Sequence, residues 1–102
     1  LEAKVRKGHR EACLIPEGSI NISNSERLKR KFMGVVHEGF DRIILDFKNV
    51  DNIDSVGAGK ILFFNSILQK KDGRLIITNI NSDEVKKAFD LIELSNAVKI
   101  KE

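Results

Sequence analysis

Asp54, Ser55, Gly57 and Gly59 fall within one short run, Asp-Ser-Val-Gly-Ala-Gly, followed by Lys60. The run comes after an apolar stretch, Ile43-Ile44-Leu45, that is too short for a helix and reads as a buried strand. A long apolar stretch, residues 61–68, comes after it and suits a helix. The glycines allow a tight turn and a close backbone approach. Asp54 and Ser55 are both of a type that caps a helix N-terminus. Such a terminus carries free N–H groups and partial positive charge, so it favours an anion. A serine hydroxyl there is a place where a phosphate can be added and read. The blander and commoner role is a cap worth about 1 kcal/mol.

Other chemistries fit these residues less well. A phosphate-binding loop needs glycine at the first motif position and a hydroxyl after the lysine. Here Asp54 and Ile61 occupy those places, so Lys60 reads as an exposed first-turn lysine. Asp46, Asp51 and Asp54 could approach one another and hold magnesium. A strand end and a helix cap explain two of them more simply, and no metal or cofactor is expected. Ser55 has no evident base, because His9 falls in a turn and His37 on a helix. Cys13 lies mid-strand, where a thiol is usually an inert core residue.

The elements that must position this run follow from periodicity. Residues 1–8 alternate weakly and suit an edge strand, Gly8-His9 a turn, and residues 11–16 a second strand that Pro16-Glu17-Gly18 ends. Ser23 and Glu26 have capping-box spacing ahead of Leu28, Phe32, Val35, Val36 and Phe40, a helical stripe that Gly39 can end. Residues 42–47 form the central strand. The helix over residues 56–71 buries Ala58, Ile61, Leu62, Asn65 and Leu68, with Phe63, Phe64 and Ile67 broadening that face. A helix so apolar must be covered on several sides or offer part of itself to a partner. Asp72-Gly73 turns into a strand at residues 75–77. Ser82 caps a helix carrying Val85, Ala88, Phe89 and Ile92, and residues 98–100 make a last short strand. The order β-β-α-β-α-β-α-β predicts an α/β fold, a small single-domain mixed sheet with helices packed on it. Functional loops of such sheets sit at the carboxyl ends of the strands, where Asp54 and Ser55 fall.

Composition sets outer bounds. With 102 residues the chain suits one small domain, and 41% hydrophobic with 32% charged residues mark it as globular. Its net charge of +3 is mild, and six Phe without Tyr or Trp give little for stacking on bases. The basic cluster Arg27, Lys29, Arg30, Lys31 shares a helix with an apolar stripe and reads as a solvated face, so no direct nucleic-acid contact is expected. No apolar run matches a membrane span, no signal peptide is visible, and one cysteine excludes an internal disulfide. A reduced, cytoplasmic setting is expected.

From residue 11 to residue 100 the chain resembles the STAS domain family of anti-sigma factor antagonists. The resemblance rests on Leu45-Asp46-Phe47 and its loop, then Ile53-Asp54-Ser55-Val56-Gly57-Ala58-Gly59. It extends to Gly73-Arg74-Leu75-Ile76-Ile77, Asn79, Ser82, Val85 and Phe89. It implies that Ser55 is phosphorylated by a partner that is both serine kinase and anti-sigma factor. It also implies that the unphosphorylated form binds that partner, and that a serine phosphatase reverses the mark. Asn21, Asp54, Ser55, Val56, Gly57 and Gly59 are the implied contact residues, and no enzymatic activity is implied for the chain itself. Three positions depart from the pattern. Gly18-Ser19-Ile20-Asn21 lacks the family's frequent loop aspartate, Val56 replaces a second serine, and Glu93 stands where a helix-ending glycine is usual. The missing acid at Asn21 bears on kinase competence and favours one alternative, a small-molecule or nucleotide-sensing STAS domain in which this loop and Asn21 form a ligand pocket; a structural subunit of a larger signalling assembly is the other alternative.

Overall fold

The computed structural model describes residues 1–101. Six strands form one mixed sheet: β1 (Ala3–Lys7), β2 (Glu11–Ile20), β3 (Arg42–Asp46), β4 (Asn49–Ile53), β5 (Arg74–Thr78) and β6 (Lys99–Lys101). The helices are α1 (Ser25–His37), α2 (Ser55–Gln69) and α3 (Asp83–Leu91), with a 3-10 turn at Leu94–Asn96. The spatial order is β1-β2-β3-β5-β6, with β4 joined to the far end of β2. Among the described residues only the β1–β2 hairpin is antiparallel. This is the expected mixed α/β sheet with β3 at its centre.

The expected end of the second strand at Pro16 is corrected. β2 runs on to Ile20 because it changes neighbour on the way. It pairs with β3 up to Leu14 and with β4 from Glu17. Pro16, which cannot donate, falls in the gap between the two ladders. β4 takes the place of the loop expected after Phe47. Its sequence, Asn-Val-Asp-Asn-Ile, is poor in strand formers, and its register shifts so that Asp51 is skipped between paired Val50 and Asn52. That bulge puts Val50 and Ile53 on the buried side three residues apart and erases the period-two signal.

The start of α1 is also corrected. Ser23 does not cap it. Asn24 holds the cap position without a capping hydrogen bond, and its side chain instead accepts from the Asn21 N–H and donates to the Ser19 carbonyl. Glu26 reaches across to Lys60 on α2 rather than back to Ser23. Ser25 is thereby carried into the interior. Gly39, at φ +102°, ends the helix as expected.

All three helices share one core with the same face of the sheet. Leu28, Phe32, Val35 and Val36 of α1, Ala58, Ile61, Phe64 and Leu68 of α2, and Val85 and Phe89 of α3 pack against Ala12, Leu14, Ile43, Leu45, Leu75 and Ile77. Phe32 and Phe64 stack with centroids 4.1 Å apart and lock α1 to α2, while Phe47 and Phe89 tilt together at 5.8 Å and seat α3. Ala58, Ile61, Asn65 and Leu68 lie on the inward face of α2 as expected, and Leu62 does not. Phe64 points in, and Leu62 and Phe63 point out.

The chain leaves α2 through Asp72 at φ +57°, followed by Gly73, where a Cβ would lie 2.2 Å from the Asp41 carbonyl oxygen. Glu93 takes the left-handed conformation after α3, at φ +51°. An L-residue pays about 1 kcal/mol or more for that conformation, so Glu93→Gly is expected to raise stability by roughly 0.5–1 kcal/mol. Urea denaturation checks this; an unchanged or lower midpoint contradicts it.

Candidate functional site

The carboxyl ends of β2 and β4 lie side by side, Ile20 opposite Ile53, and the chain turns from each into a helix there. Asp54 joins the two exits. Its backbone N–H donates to the Ile20 carbonyl at 3.0 Å and its carbonyl accepts from Ala58 at 2.9 Å. Its carboxylate is divided: Oδ1 accepts from the Gly57 N–H at 2.8 Å and Oδ2 from the Ile22 N–H at 2.9 Å. One side chain therefore caps α2 and ties it to the turn that leads into α1. Asp54→Asn keeps one acceptor and turns an NH2 toward a donor. We expect it to cost about 1–3 kcal/mol, read as a lower thermal midpoint. Retention of wild-type stability would show that the Ile22 bond contributes nothing.

Gly57 is buried beneath this cap. A Cβ there would meet the Ile20 carbonyl oxygen at 2.7 Å and the Ile53 side chain at 2.8 Å. Only glycine lets α2 start so close to β2. Gly59 differs. It lies within the helix, is exposed, and has nothing within 4 Å of where its Cβ would be. It takes no part in the turn that both glycines were expected to shape.

Ser55 is the first residue of α2 and is exposed. Around it lies an apolar surface that the sequence signalled only as an excess of apolar residues on α2. Ile22 is 72% exposed, and Val56 and Phe63 are each 38% exposed. The Lys29 ammonium of α1 stands 5.2 Å over the Phe63 ring. Lys29, Val56, Gly59, Lys60 and Phe63 line a groove of about 240 Å3. Ile22, Lys29 and Phe63 were not among the expected site residues. Lys60, expected to be an exposed lysine, is half-buried and paired with Glu26; its hydrogen bond first, and its charge next, hold the Glu26 carboxyl below the usual range. Asn21 is half-buried in the adjoining turn, and its Oδ1 accepts from the Ser23 N–H.

The other candidates are held elsewhere. Asp46 accepts from the Lys48 N–H and from Asn79, and Asp51 from Ser19, so each of the three carboxylates has separate partners. Among the described residues no three metal-ligating side chains gather. His9 lies in the bend before the ten-residue β2, about 30 Å of strand from the Ser55 end. Cys13 is not in the core: it is half-buried on the opposite face of the sheet, and burial, with Asp46 adding repulsion, pushes its thiol up.

The STAS domain model matches residues 1–102. This chain belongs to the STAS domain family. Over 80 residues it is 29% identical to BtrV of Bordetella bronchiseptica, provisionally named an anti-sigma factor antagonist. That match covers 78% of this chain and only 66% of BtrV. Among solved structures, a Thermotoga maritima protein with the same provisional description superposes with a TM-score of 0.90 at 23% identity, over 98% of this chain and 86% of that one. The anti-sigma factor antagonist SpoIIAA in its unphosphorylated form gives 0.77 at 20% identity, over 99% of this chain and 88% of its own. The phosphorylated form of SpoIIAA from Bacillus gives 0.75 at 20% identity, over 99% and 92%. The fold of this STAS domain is therefore that of the anti-sigma factor antagonists. Among its described residues no helix is long and apolar enough to cross a membrane.

Proposed function

We propose that this STAS domain is an anti-sigma factor antagonist, a binding module switched by phosphorylation of Ser55, with no catalysis of its own. Its partner is an anti-sigma factor that is also the serine kinase, and a serine phosphatase resets the switch. The observation that carries the reading is the exposed Ser55 at the mouth of α2, next in the chain to Val56, which lines an apolar groove.

The contact surface comprises Asn21, Asp54, Ser55, Val56 and Gly59, with Ile22, Phe63 and Lys29 added. Gly57 acts from beneath by letting the helix approach. A phosphate at Ser55 brings about −1.5 to −2 charges. The α2 dipole tolerates that charge, while neighbouring Asp54 repels it. An apolar partner surface docked at Val56 and Phe63 would then face an unpaired dianion. Repulsion and desolvation act on binding, and the fold stays as it is. SpoIIAA supports this economy of change, since the chain superposes almost equally on its two forms.

The test is incubation with candidate anti-sigma kinases and ATP, followed by mass mapping. One phosphate on Ser55, absent in Ser55→Ala, and release of the phosphorylated chain from the kinase are expected. Phosphate placed at another residue, or equal binding by both forms, would overturn the reading.

A further inference from the structure

The turn between β2 and α1 is fastened more firmly than a surface turn requires. The Asn21 carbonyl accepts from the Ser25 N–H at 2.8 Å and from the Asn24 N–H at 3.1 Å. Asn24 Oδ1 accepts from the Asn21 N–H at 2.8 Å, and Asn24 Nδ2 donates to the Ser19 carbonyl at 2.7 Å. Asn21 Oδ1 accepts from the Ser23 N–H at 2.9 Å. The Ile22 N–H is held from outside the turn, by Asp54 Oδ2 at 2.9 Å. All of these bonds use backbone or polar side chains, and the isoleucine among them is left 72% exposed. An exposed apolar residue on a loose loop needs no explanation. Ile22 differs because its backbone is fixed. Leu91 is more exposed still, at 85%, but among the described residues no side-chain hydrogen bond fastens residues 88–92 at that end of α3. The core gains nothing from Ile22, which lies neither in it nor among the half-buried residues packed against it. Asp54, which holds Ile22, immediately precedes Ser55, so this side chain stands beside the proposed phosphorylation site.

Given the Ser55 surface as the partner site, on which this step rests, we propose that Ile22 is its anchor. The anti-sigma partner supplies an apolar pocket shaped for a branched aliphatic side chain. A branched side chain has few rotamers to lose, and the backbone beneath it is already in place, so docking orders little that was free. The other apolar residues of this surface are partly covered before any partner arrives. Val56 and Phe63 are each 38% exposed, and the Lys29 ammonium stands over the Phe63 ring. Ile22 therefore has the most apolar area left to remove from water. Interfaces draw most of their affinity from a few such side chains in dry pockets, ringed by weaker contacts that exclude water. Val56 and Phe63 form part of that ring. A polar cleft in the partner would leave the isoleucine wet and gain nothing. A phosphate on Ser55 would bring its water to the rim of the pocket, which explains how the mark and the anchor act on one contact.

The test sets the unmodified chain, Ile22→Ala and Ile22→Val against the anti-sigma kinase that phosphorylates Ser55. Ile22→Ala is expected to bind about ten- to a hundred-fold more weakly, and to raise KM for phosphorylation of Ser55 while leaving kcat unchanged. Ile22→Val keeps the branch and should stay within about five-fold of the unmodified chain. Both variants should melt within a few degrees of it, because the side chain is exposed. Hydrogen exchange on the free chain should show the Ile22 amide protected, in the unmodified protein and in Ile22→Ala alike. Full binding by Ile22→Ala, with release on phosphorylation retained, would overturn the anchor and leave the switch standing. Binding that depends on Ile22 and ignores the phosphate would keep the anchor and remove the switch. A freely exchanging Ile22 amide, or a dimer of this chain that Ile22→Ala dissociates, would overturn the proposal. Failure of the unmodified chain to bind any anti-sigma kinase would remove both readings.

Discussion

Ser55→Asp is expected to weaken binding to the anti-sigma partner by about 100-fold while moving the thermal midpoint by no more than a few degrees. Two terms set the stability side. A carboxylate in the first turn gains about 0.3–1 kcal/mol from the helix dipole. It stands next to Asp54, which takes back much of that gain by repulsion. Neither term involves the core, because Ser55 is exposed. The binding side has no such cancellation. In the proposed complex the partner covers Val56 and Phe63, and a charge at the border of that contact loses its water beside the like charge of Asp54. A penalty of about 2–3 kcal/mol corresponds to roughly two powers of ten in affinity. Ser55→Ala, which adds no charge, should bind like the unmodified chain. Calorimetric titration together with a melt reads both quantities. Equal affinity for Ser55→Asp and wild type would remove the switch, whereas a collapsed melt would assign Ser55 to the fold.

Gly57→Ala and Gly59→Ala are expected to act with opposite signs. At Gly57 the new methyl would press on the Ile20 carbonyl oxygen at 2.7 Å, and that oxygen belongs to backbone that also receives the Asp54 N–H. Either α2 or the end of β2 must shift, and Asp54 would lose its bonds to Gly57 or Ile22. We expect a loss of about 2–3 kcal/mol, only partly offset by the better helix propensity of alanine. At Gly59 nothing meets the methyl, and alanine in a helix interior gains about 0.5–1 kcal/mol. The fold therefore has no use for glycine at position 59. Its flat surface in the groove beside Phe63 is what a close-packed partner would need. Gly59→Ala should accordingly raise the denaturation midpoint and lower partner affinity. Two destabilised variants would disprove the separation of roles, and unchanged binding by Gly59→Ala would remove that residue from the contact surface.

Much of this molecule was legible from local pattern. The stripes of α1 and α3, the apolar runs of β3 and β5, the Ser82 cap and the Asp54 cap each report a requirement met within a few residues, by periodicity or by a side chain reaching a nearby N–H. Glycine at position 39 marked a helix end for the same reason, whereas Glu93 stood out only against the family's usual glycine.

What stayed hidden depends on neighbours distant in the chain. β4 is a strand because the far half of β2 offers it a ladder, and its bulge at Asp51 hides the alternation that would reveal it. Ser23 lost its expected cap because Asn24 and the Asn21 carbonyl closed a tighter turn, and Glu26 found Lys60 across the helix pair. The two glycines after Ser55 are indistinguishable in sequence; only the position of the Ile20 carbonyl separates the one the fold requires from the one it does not. The excess of apolar residues on α2 announced an exposed face, but the packing of Phe64 on Phe32 decided that Phe63 and Leu62 would form it. Periodicity states how much surface must be buried; the direction a helix faces is set by what packs against it.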